Sequence, residues 1–264
     1  MNWQDTAVIL SVHPFGERHA RVSVLTPSHG KRSGLVWIPA AKNGGAAVLQ
    51  VGNVVFASWS GRLEESLGRL KVDLLEHTSG FLFEHPLALE ALSAACTLLD
   101  SVLPQGQECA GVWSALLAFL SAIRENDHPS VYVRWEAQLL ADLGYGLDLS
   151  CCAVTGGRKE LMYVSPKSGR AVSRDIGWPY RDRLFILPAF LSGGSLSVES
   201  DVEAEDPPPA EAVCRGFELT GYFLQKYVLH PLRRGFPAAR SRLLQRVARS
   251  QSPVEAFSES GVTV

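Results

Sequence analysis

Two adjacent cysteines, Cys151 and Cys152, open the segment whose residue types and spacing most resemble a metal site. A structural zinc ion takes four tetrahedral thiolate or imidazole ligands, usually as two pairs held by two turns. The second pair is expected about fifteen to twenty residues later, where the sequence has Ser168, Gly169 and Ser173. The segment therefore predicts no metal ligands, and Cys152 is interpreted as a small buried apolar residue.

Motifs for catalysis are missing from the sequence. SHGKRSG contains a Gly-Lys pair, but it lacks the upstream glycine of a phosphate-binding loop and opens a strand rather than a helix. There is no nucleophile elbow and no zinc-protease motif, and the seven histidines are scattered. We therefore expect no catalytic residues, no cofactor and no enzyme activity.

Residues suited to binding are concentrated in the first eighty positions, where basic and aromatic side chains are interleaved. The basic residues are Arg18, Arg21, Lys31, Arg32, Arg62, Arg69 and Lys71, and the aromatic ones are Phe15, Trp37, Phe56 and Trp59. Cations hold a phosphate backbone, and aromatic rings stack on unpaired bases. The alternative is that the aromatic rings fill a core and the charges are solvated surface. The apolar phase of Trp37 and Phe56 in their strands favours that alternative.

A second basic tract lies near the end of the chain. Residues 230–251 hold six arginines and no acidic residue, although the whole chain has a net charge of −2. Such a tract suits phosphate or an acidic peptide. A solvated helix end is the equally balanced alternative.

The elements that position these residues change in type near residue 80. Five short β-rich runs with turns between them, TAVILSVHPF, HARVSVLTP, SGLVWIPA, GNVVFASWSG and GRLKVDLLEH, predict a small barrel or sandwich. Apolar residues at helical spacing then predict helices within 85–104, 109–125, 129–146, 210–229 and 237–250. The expected fold class is α+β, with a β domain over residues 1–80 and a helical domain over residues 81–264. A hairpin-rich insert over about 150–190 interrupts the helical domain.

The overall composition is that of a folded protein, with 46% hydrophobic and 20% charged residues. No apolar run approaches the length of a membrane span, and the N-terminus lacks the features of a secretory signal. Five irregularly spaced cysteines do not indicate a disulfide framework. A reducing cytoplasm is the expected location.

Three ordered segments resemble the RecO family of bacterial recombination mediators. AVILSVHPFGERHARVSVLTPSHGKRSGLV is similar to the family's opening hairpin, and VRWEAQLLADLGYGLDLSCCAVTG to its Arg-aromatic-Glu helix and cysteine turn. LTGYFLQKYVLHPLRRGFPAARSRLL is similar to its C-terminal helices. The resemblance extends from the first strand to about residue 250.

The resemblance implies an N-terminal OB-fold, a helical domain carrying a zinc-ribbon-like insert, and no enzyme activity. Members of the family bind single- and double-stranded DNA and anneal complementary strands. They bind the acidic C-terminal tail of single-stranded DNA-binding protein (SSB), and with RecR they help load RecA onto SSB-coated strands. The implied partners are thus DNA, the SSB tail and RecR, at the nucleoid and with no membrane.

The resemblance also implies roles for individual residues. Contacts with DNA fall on Arg18, Arg21, Lys31, Arg32, Lys42, Arg240 and Arg242. Contacts with the SSB tail fall on Arg134, Leu139 and Leu140, since a cation beside an apolar groove suits an acidic and apolar tail. The alternative for Arg134 is an ion pair with a nearby carboxylate.

Two departures from the family pattern qualify these implications. The family has a dense basic loop after the third strand, whereas this chain has AAKNGGAAVLQ with Lys42 alone. Fewer phosphate contacts lower affinity, which leaves open an adaptor for SSB and RecR with weak or no DNA binding. The insert matches one of the family's four zinc cysteines, Cys152, and so implies a ribbon without its metal.

Overall fold

The protein begins with five strands, and the computed structural model describes residues 1–38, 45–63, 66–125, 128–192 and 207–250. The strands are β1 (Asn2–Phe15), β2 (His19–Thr26), β3 (Gly30–Trp37), β4 (Val54–Ser60) and β5 (Gly68–Glu76), with a one-turn helix α1 (Gly45–Val48) before β4. They close into a barrel in the order β1-β2-β3-β5-β4, and β1 also pairs with β4. This five-stranded closed barrel is the OB-fold expected above.

The barrel interior is filled by alternate residues of each strand, because successive side chains point to opposite faces. The inward residues of β2 and β4 are Ala20, Val22, Val24, Val55, Ala57 and Trp59. All of them are buried, and none carries a charge. The residues between them consequently point out of the barrel, toward solvent or toward the helical region.

A short parallel contact between β3 and β5 closes the barrel, with Gly34 opposite Gly68 and Leu35 opposite Arg69. Gly34 is required there because a Cβ atom would lie 2.6 Å from the Cβ of Leu70. That distance is well inside the contact distance of packed carbon atoms. Beyond Leu35 the described residues of the two strands no longer pair, which leaves a gap in the wall of the barrel.

The helical region contains α2 (Thr78–Phe81), α3 (Pro86–Val102), α4 (Ala110–Glu125), α5 (Ser130–Asp142), α6 (Arg174–Gly177), α7 (Ala210–Leu224) and α8 (Ala238–Arg249). A π-helical turn, Gln225–Leu229, extends α7. The five long predicted helices are therefore present, with ends within a few residues of the expected ones. Among the described residues, none of these helices is long and apolar enough to cross a membrane.

Helix α5 lies at the centre of the helical core. Its Tyr132 and Trp135 are fully buried and pack with Phe119 of α4. Phe217 of α7 stacks on Tyr132, with ring centroids 5.6 Å apart. Burial of large aromatic side chains is a main source of stabilisation in such a core, so α5 connects the preceding helices to α7.

The barrel and the helices share one hydrophobic core at their junction. The outward residues Val8, Leu10, Leu25 and Val54 of the barrel belong to the same buried cluster as α3. One side of the barrel is thus covered by helices. The side formed by His19 and Arg21 of β2, Trp37 of β3, and Arg69 and Lys71 of β5 remains exposed for other contacts.

The insert forms a three-stranded sheet in the order β7-β6-β8, from β6 (Leu161–Val164), β7 (Ala171–Ser173) and β8 (Phe185–Ile186). Cys152, Tyr163 and Val172 form its small core. The turns and β pieces predicted for this segment are therefore present. Its stability comes from apolar packing on Tyr163 and from the hydrogen bonds of the sheet.

Candidate nucleic-acid interface

A row of outward side chains crosses three strands of the barrel. Arg21 on β2 lies opposite Leu35 on β3, and Leu35 lies opposite Arg69 on β5. Both arginines are exposed, because their neighbours in each strand point into the core. Cross-strand register therefore brings together two cations that are far apart in sequence.

The adjacent row adds an aromatic ring and two further basic groups. His19 lies opposite Trp37, and Lys71 lies opposite Ser58. The Trp37 side chain is 58% exposed. The Nζ atom of Lys71 is 3.9 Å from a carboxylate oxygen of Asp73, and a pair this exposed is weak and screened by salt. We call His19, Arg21, Trp37, Arg69 and Lys71 the outer face.

A cleft of about 1260 Å³ opens beside the outer face, where β3 and β5 separate. His19, Trp37, Arg69 and Lys71 contribute to its walls, while Leu70 and Val72 are among its apolar residues. An apolar cleft edged by cations and an exposed indole offers stacking to a base and charge to its phosphate. The arrangement thus suits an unpaired nucleic acid strand.

The four aromatic residues singled out in the sequence divide between two roles. Trp59 is buried, donates a hydrogen bond from Nε1 to the Ser33 carbonyl oxygen at 3.1 Å, and stacks on Trp3. Phe15, Trp37 and Phe56 are exposed. The inference from apolar phase that Trp37 and Phe56 belong to the core is wrong, because both side chains project from the outer side of their strands.

The two arginines of the first hairpin are both exposed to solvent. Arg18, in the turn before β2, is exposed, as is Arg21 on β2. Lys42 lies outside the described residues. Arg18 and Arg21 therefore remain candidates for phosphate contact.

Lys31 does not face nucleic acid, contrary to the expectation, because the helical region covers that side of β3. Its Nζ atom donates a hydrogen bond to the Asp100 carbonyl oxygen at 2.6 Å, in the last turn of α3. Backbone acceptors there lack an intrahelical partner and carry the negative end of the helix dipole. Burial lowers the pKa of Lys31, and the Asp100 carboxylate opposes that shift. Lys31 thus caps α3 at the junction of the two regions.

Arg32 is likewise buried rather than available for DNA. Its Nε donates a hydrogen bond to the His29 carbonyl oxygen at 3.1 Å. The loop at Gly106 covers the guanidinium so closely that a Cβ atom there would be 3.2 Å from it. The expected contact between Arg32 and nucleic acid is therefore wrong.

Arg240 differs most from its expected role, because it is buried in the helical core instead of being exposed for a DNA contact. Its Nε and one Nη atom donate hydrogen bonds to the two carboxylate oxygens of Glu136, at 2.6 and 2.9 Å. Thr220 donates to the same carboxylate at 2.6 Å. We call Glu136, Thr220 and Arg240 the core network, since they join α5, α7 and α8.

Aromatic rings enclose the guanidinium of Arg240. Its central carbon lies 4.2 Å from the ring centroid of Phe236 and 5.1 Å from that of Phe217. Burial by itself lowers the pKa of Arg240, but the Glu136 carboxylate outweighs it and the net pKa is raised. Arg240 is therefore charged and paired, with 5% of its surface exposed.

The remaining helical residues that were expected to bind DNA or the SSB tail differ in how exposed they are. Arg242, on the opposite side of α8 from the core, is exposed. Arg134 on α5 is half-buried and has an interaction partner. Leu139 and Leu140 are fully buried in the helical core, so the expected apolar groove formed by these two leucines is wrong.

The sulfur atom of Cys152 is buried in the insert and accepts hydrogen bonds. This Sγ atom accepts a hydrogen bond from the Ser173 backbone N–H at 3.3 Å. Burial opposes ionisation, but hydrogen bonds from Ser173 and Thr155 outweigh it and lower the pKa of Cys152 to about 6. Within the described part of the chain, no group of three or more His, Cys, Asp or Glu residues is arranged to hold a metal ion.

Arg69 and Lys71 were among the basic residues suited to binding, but neither they nor His19 were among the DNA contacts that the family resemblance implies. Arg69 and Lys71 flank the inward Leu70 on β5, and that alternation is a signal the sequence does contain. Their proximity to Arg21 and Trp37 could not be predicted from the sequence, because it depends on the parallel pairing of β3 with β5. His19 begins β2, as the β-rich run HARVSVLTP predicts, but the sequence offered no reason to assign it a contact.

The chain matches two family models along most of its length. Residues 1–77 match the model described as Recombination protein O N terminal, and residues 84–235 match Recombination protein O C terminal. DNA repair protein RecO of Rhodospirillum rubrum is 45% identical over 255 residues, covering 94% of this chain and 97% of that protein.

Other relatives carry the same name. DNA repair protein RecO of Rhodospirillum centenum is 40% identical, covering 100% of this chain and 99% of that protein. The protein of that name from a Caulobacter species is 42% identical, covering 94% of this chain and 98% of its own length. Relatives at this identity span both the barrel and the helices. The chain therefore belongs to the RecO family of DNA repair proteins.

Proposed function

We propose that this protein is a recombination mediator that binds DNA through the outer face of its barrel. In this role it anneals complementary strands, binds the SSB tail, and helps RecR load RecA onto SSB-coated single strands, in the cytoplasm at the nucleoid. The observation that carries the proposal is the row from Arg21 through Leu35 to Arg69, with Trp37 and Lys71 beside it. Cations on neighbouring strands bind phosphates along a nucleic acid strand, and an exposed indole stacks on a base.

Single-strand affinity measured against salt tests the DNA contact. We expect a double variant, Arg21→Ala with Arg69→Ala, to bind about tenfold more weakly at low salt. Its plot of log affinity against log salt should be less steep by about 0.7 for each phosphate contact removed. Arg215→Ala, a half-exposed arginine paired with Glu211 on α7, is the matched control and should leave affinity and slope unchanged. An unchanged slope for the double variant would show that DNA binds elsewhere.

The SSB-tail contact rests on Arg134 and the family membership, without the two buried leucines. We expect annealing of SSB-coated complementary strands to slow when SSB lacks its tail. Arg134→Ala should weaken binding of a tail peptide several-fold, because a guanidinium pairs well with carboxylates. Arg215→Ala, on α7, is the control, because Arg215 pairs with Glu211 and has no assigned contact. Equal annealing with intact and tail-less SSB would refute this part of the proposal.

An adaptor with little DNA affinity is the second candidate, and the burial of Lys31, Arg32 and Arg240 favours it. Three of the basic residues first expected to contact DNA are committed to internal partners. The same salt titration separates the two functions. A steep salt dependence supports the mediator, whereas no single-strand binding at low salt supports the adaptor.

A further inference from the structure

A short helix in the insert exposes two large aromatic side chains to solvent. The 3-10 helix Trp178–Arg183 follows α6 and has the sequence WPYRDR. Trp178 is 57% exposed and Tyr180 is 61% exposed. The guanidinium carbon of Arg181 lies 4.7 Å from the Trp178 ring centroid. Large exposed apolar patches are characteristic of contact surfaces, whereas single exposed apolar residues are common, and here two exposed rings lie within three residues.

The helix geometry places the Trp178 ring beside an arginine. A 3-10 helix has three residues per turn, so residues three apart share a face. Trp178 and Arg181 have this spacing and are in contact, and Tyr180 and Arg183 have the same spacing one face over. The helix therefore presents one ring–arginine contact, with a second ring and a second arginine at the same spacing on an adjoining face.

The base of this helix is tightly packed. Gly177, immediately before it, lies so close to Tyr163 that a Cβ atom would be 2.3 Å from that ring. Tyr163 is buried in the core of the insert with Cys152 and Val172. The exposed rings therefore project from a packed support, which reduces the conformational entropy lost on binding.

The surrounding charge favours an anionic partner. Residues 151–183 carry seven Lys or Arg and three Asp or Glu. Asp182 lies 3.8 Å from the Nε of Arg181, and the Asp182 side chain is 89% exposed, so salt screens that pair strongly. Arg174 and Arg183 are both exposed. An ion pair cancels one charge of each sign, so the excess of basic over acidic residues within 151–183 remains.

We propose that Arg174, Trp178, Tyr180, Arg181 and Arg183, the Trp178 patch, form a second contact for single-stranded nucleic acid. Trp178 and Tyr180 stack on unpaired bases, and the arginines bind the flanking phosphates. This inference rests on the proposed DNA-binding function. It adds that a strand held on the outer face has a separate point of attachment on the insert.

Single-strand binding by a Trp178→Ala and Tyr180→Ala double variant tests the patch. We expect affinity to fall about tenfold, because each stacked base is lost with its ring. The conservative pair Trp178→Phe and Tyr180→Phe should retain most of the affinity. Phe83→Ala, which removes an aromatic side chain that is 82% exposed on another part of the surface, is the control and should bind as the unmodified protein does. Duplex affinity should change less, because its bases are already stacked.

Photo-crosslinking of the unmodified protein to a strand containing iododeoxyuridine provides a second readout that needs no variant. We expect adducts on Trp178 or Tyr180, identified by mass spectrometry of the digested protein. Absence of adducts from residues 174–183, together with unchanged affinity of the alanine pair, would overturn the Trp178 patch.

The barrel variants distinguish this inference from the proposed function. If Arg21→Ala with Arg69→Ala weakens binding and the alanine pair at Trp178 and Tyr180 does not, the patch is wrong and the barrel site stands. The reverse result retains the patch and removes the barrel assignment. If the unmodified protein binds no single strand at low salt, both are wrong.

Discussion

The outer face of the barrel and the core network use the same residue type for opposite purposes. Arg21 and Arg69 project from a sheet surface, with their guanidinium groups in solvent. Arg240 is enclosed by Phe217 and Phe236 and bonded to Glu136. A charge in the interior is tolerated only when it is paired and hydrogen-bonded. The comparison shows that the partner and the covering element, rather than the arginine itself, decide between binding and structure.

The largest expected effect is the loss of stability on removing Arg240. Arg240→Ala leaves the Glu136 carboxylate buried without its cation, and we expect the free energy of unfolding to fall by about 3–5 kcal/mol. Arg242→Ala, two positions along α8 and exposed, should change it by less than about 0.5 kcal/mol. Chemical denaturation followed by circular dichroism measures both. Equal stability of the two variants would contradict the distinction between the two regions.

A double substitution sharpens that result. Arg240→Met with Glu136→Leu removes both charges and fills the space with apolar atoms. Replacing a buried pair in this way is often neutral or stabilising, so the double variant should be more stable than Arg240→Ala alone. A double variant as unstable as the single one would mean that the network contributes beyond its charge pairing, for example through Thr220.

A smaller effect is expected at Lys31, which lies on a barrel strand but acts as a structural residue. Lys31→Ala removes the hydrogen bond to the Asp100 carbonyl oxygen and exposes an acceptor at the end of α3. We expect a loss of about 2 kcal/mol, the range for hydrogen bonds to charged groups. Arg21→Ala, on the neighbouring strand, should have almost no effect on stability.

DNA affinity gives the converse comparison for the same pair of residues. Lys31→Met keeps the apolar stem, and we expect single-strand affinity to stay at the level of the unmodified protein. Arg21→Ala should lower that affinity several-fold and reduce the salt dependence. If Lys31→Met weakened DNA binding as much as Arg21→Ala, then the covering of β3 by α3 would not exclude DNA from that side.

The contrast between Arg21 and Lys31 also shows what could be predicted from the sequence. Strand alternation and helical spacing are local, so the barrel strands and the helices followed from them. Lys31 lies on β3 in the same outward phase as Leu35, the cross-strand partner of Arg21, yet α3 covers it. Coverage by another region depends on long-range packing, which a pattern within one strand does not contain.

The predictions for Arg240, Leu139 and Leu140 in the helices were wrong for the same reason, because long-range packing decides which residues are covered. Charge counting marked Arg240 and Arg242 alike, although they lie on different sides of α8 and only one meets Glu136, 104 positions earlier. Leu139 and Leu140 were expected to line a groove, but α5 is buried on nearly all sides. Apolar spacing identifies a helix, and it does not show how many of its faces are covered.

The smallest expected effect concerns Cys152, a buried group whose partners are hydrogen-bond donors rather than an opposite charge. Its pKa falls from 9.0 to about 6, so the folded state favours the thiolate. A lowered pKa of this kind contributes stability that is fully present above about pH 9. That contribution decreases as the pH falls and is lost below about pH 6. Cys152→Ala should therefore show a flatter dependence of stability on pH across this range.

Ultraviolet absorbance of the thiolate measures the ionisation directly. Burial raises the pKa of Cys96 to about 12 and also raises the pKa of Cys109 and Cys214. A step in absorbance near pH 6 that is present in the unmodified protein and missing in Cys152→Ala thus belongs to Cys152. If the step that Cys152→Ala removes lay near pH 9 instead, the Ser173 N–H donor would not outweigh the effect of burial on the Cys152 pKa. In that case an interior charge in this protein would require a full counter-ion, as Arg240 has in Glu136.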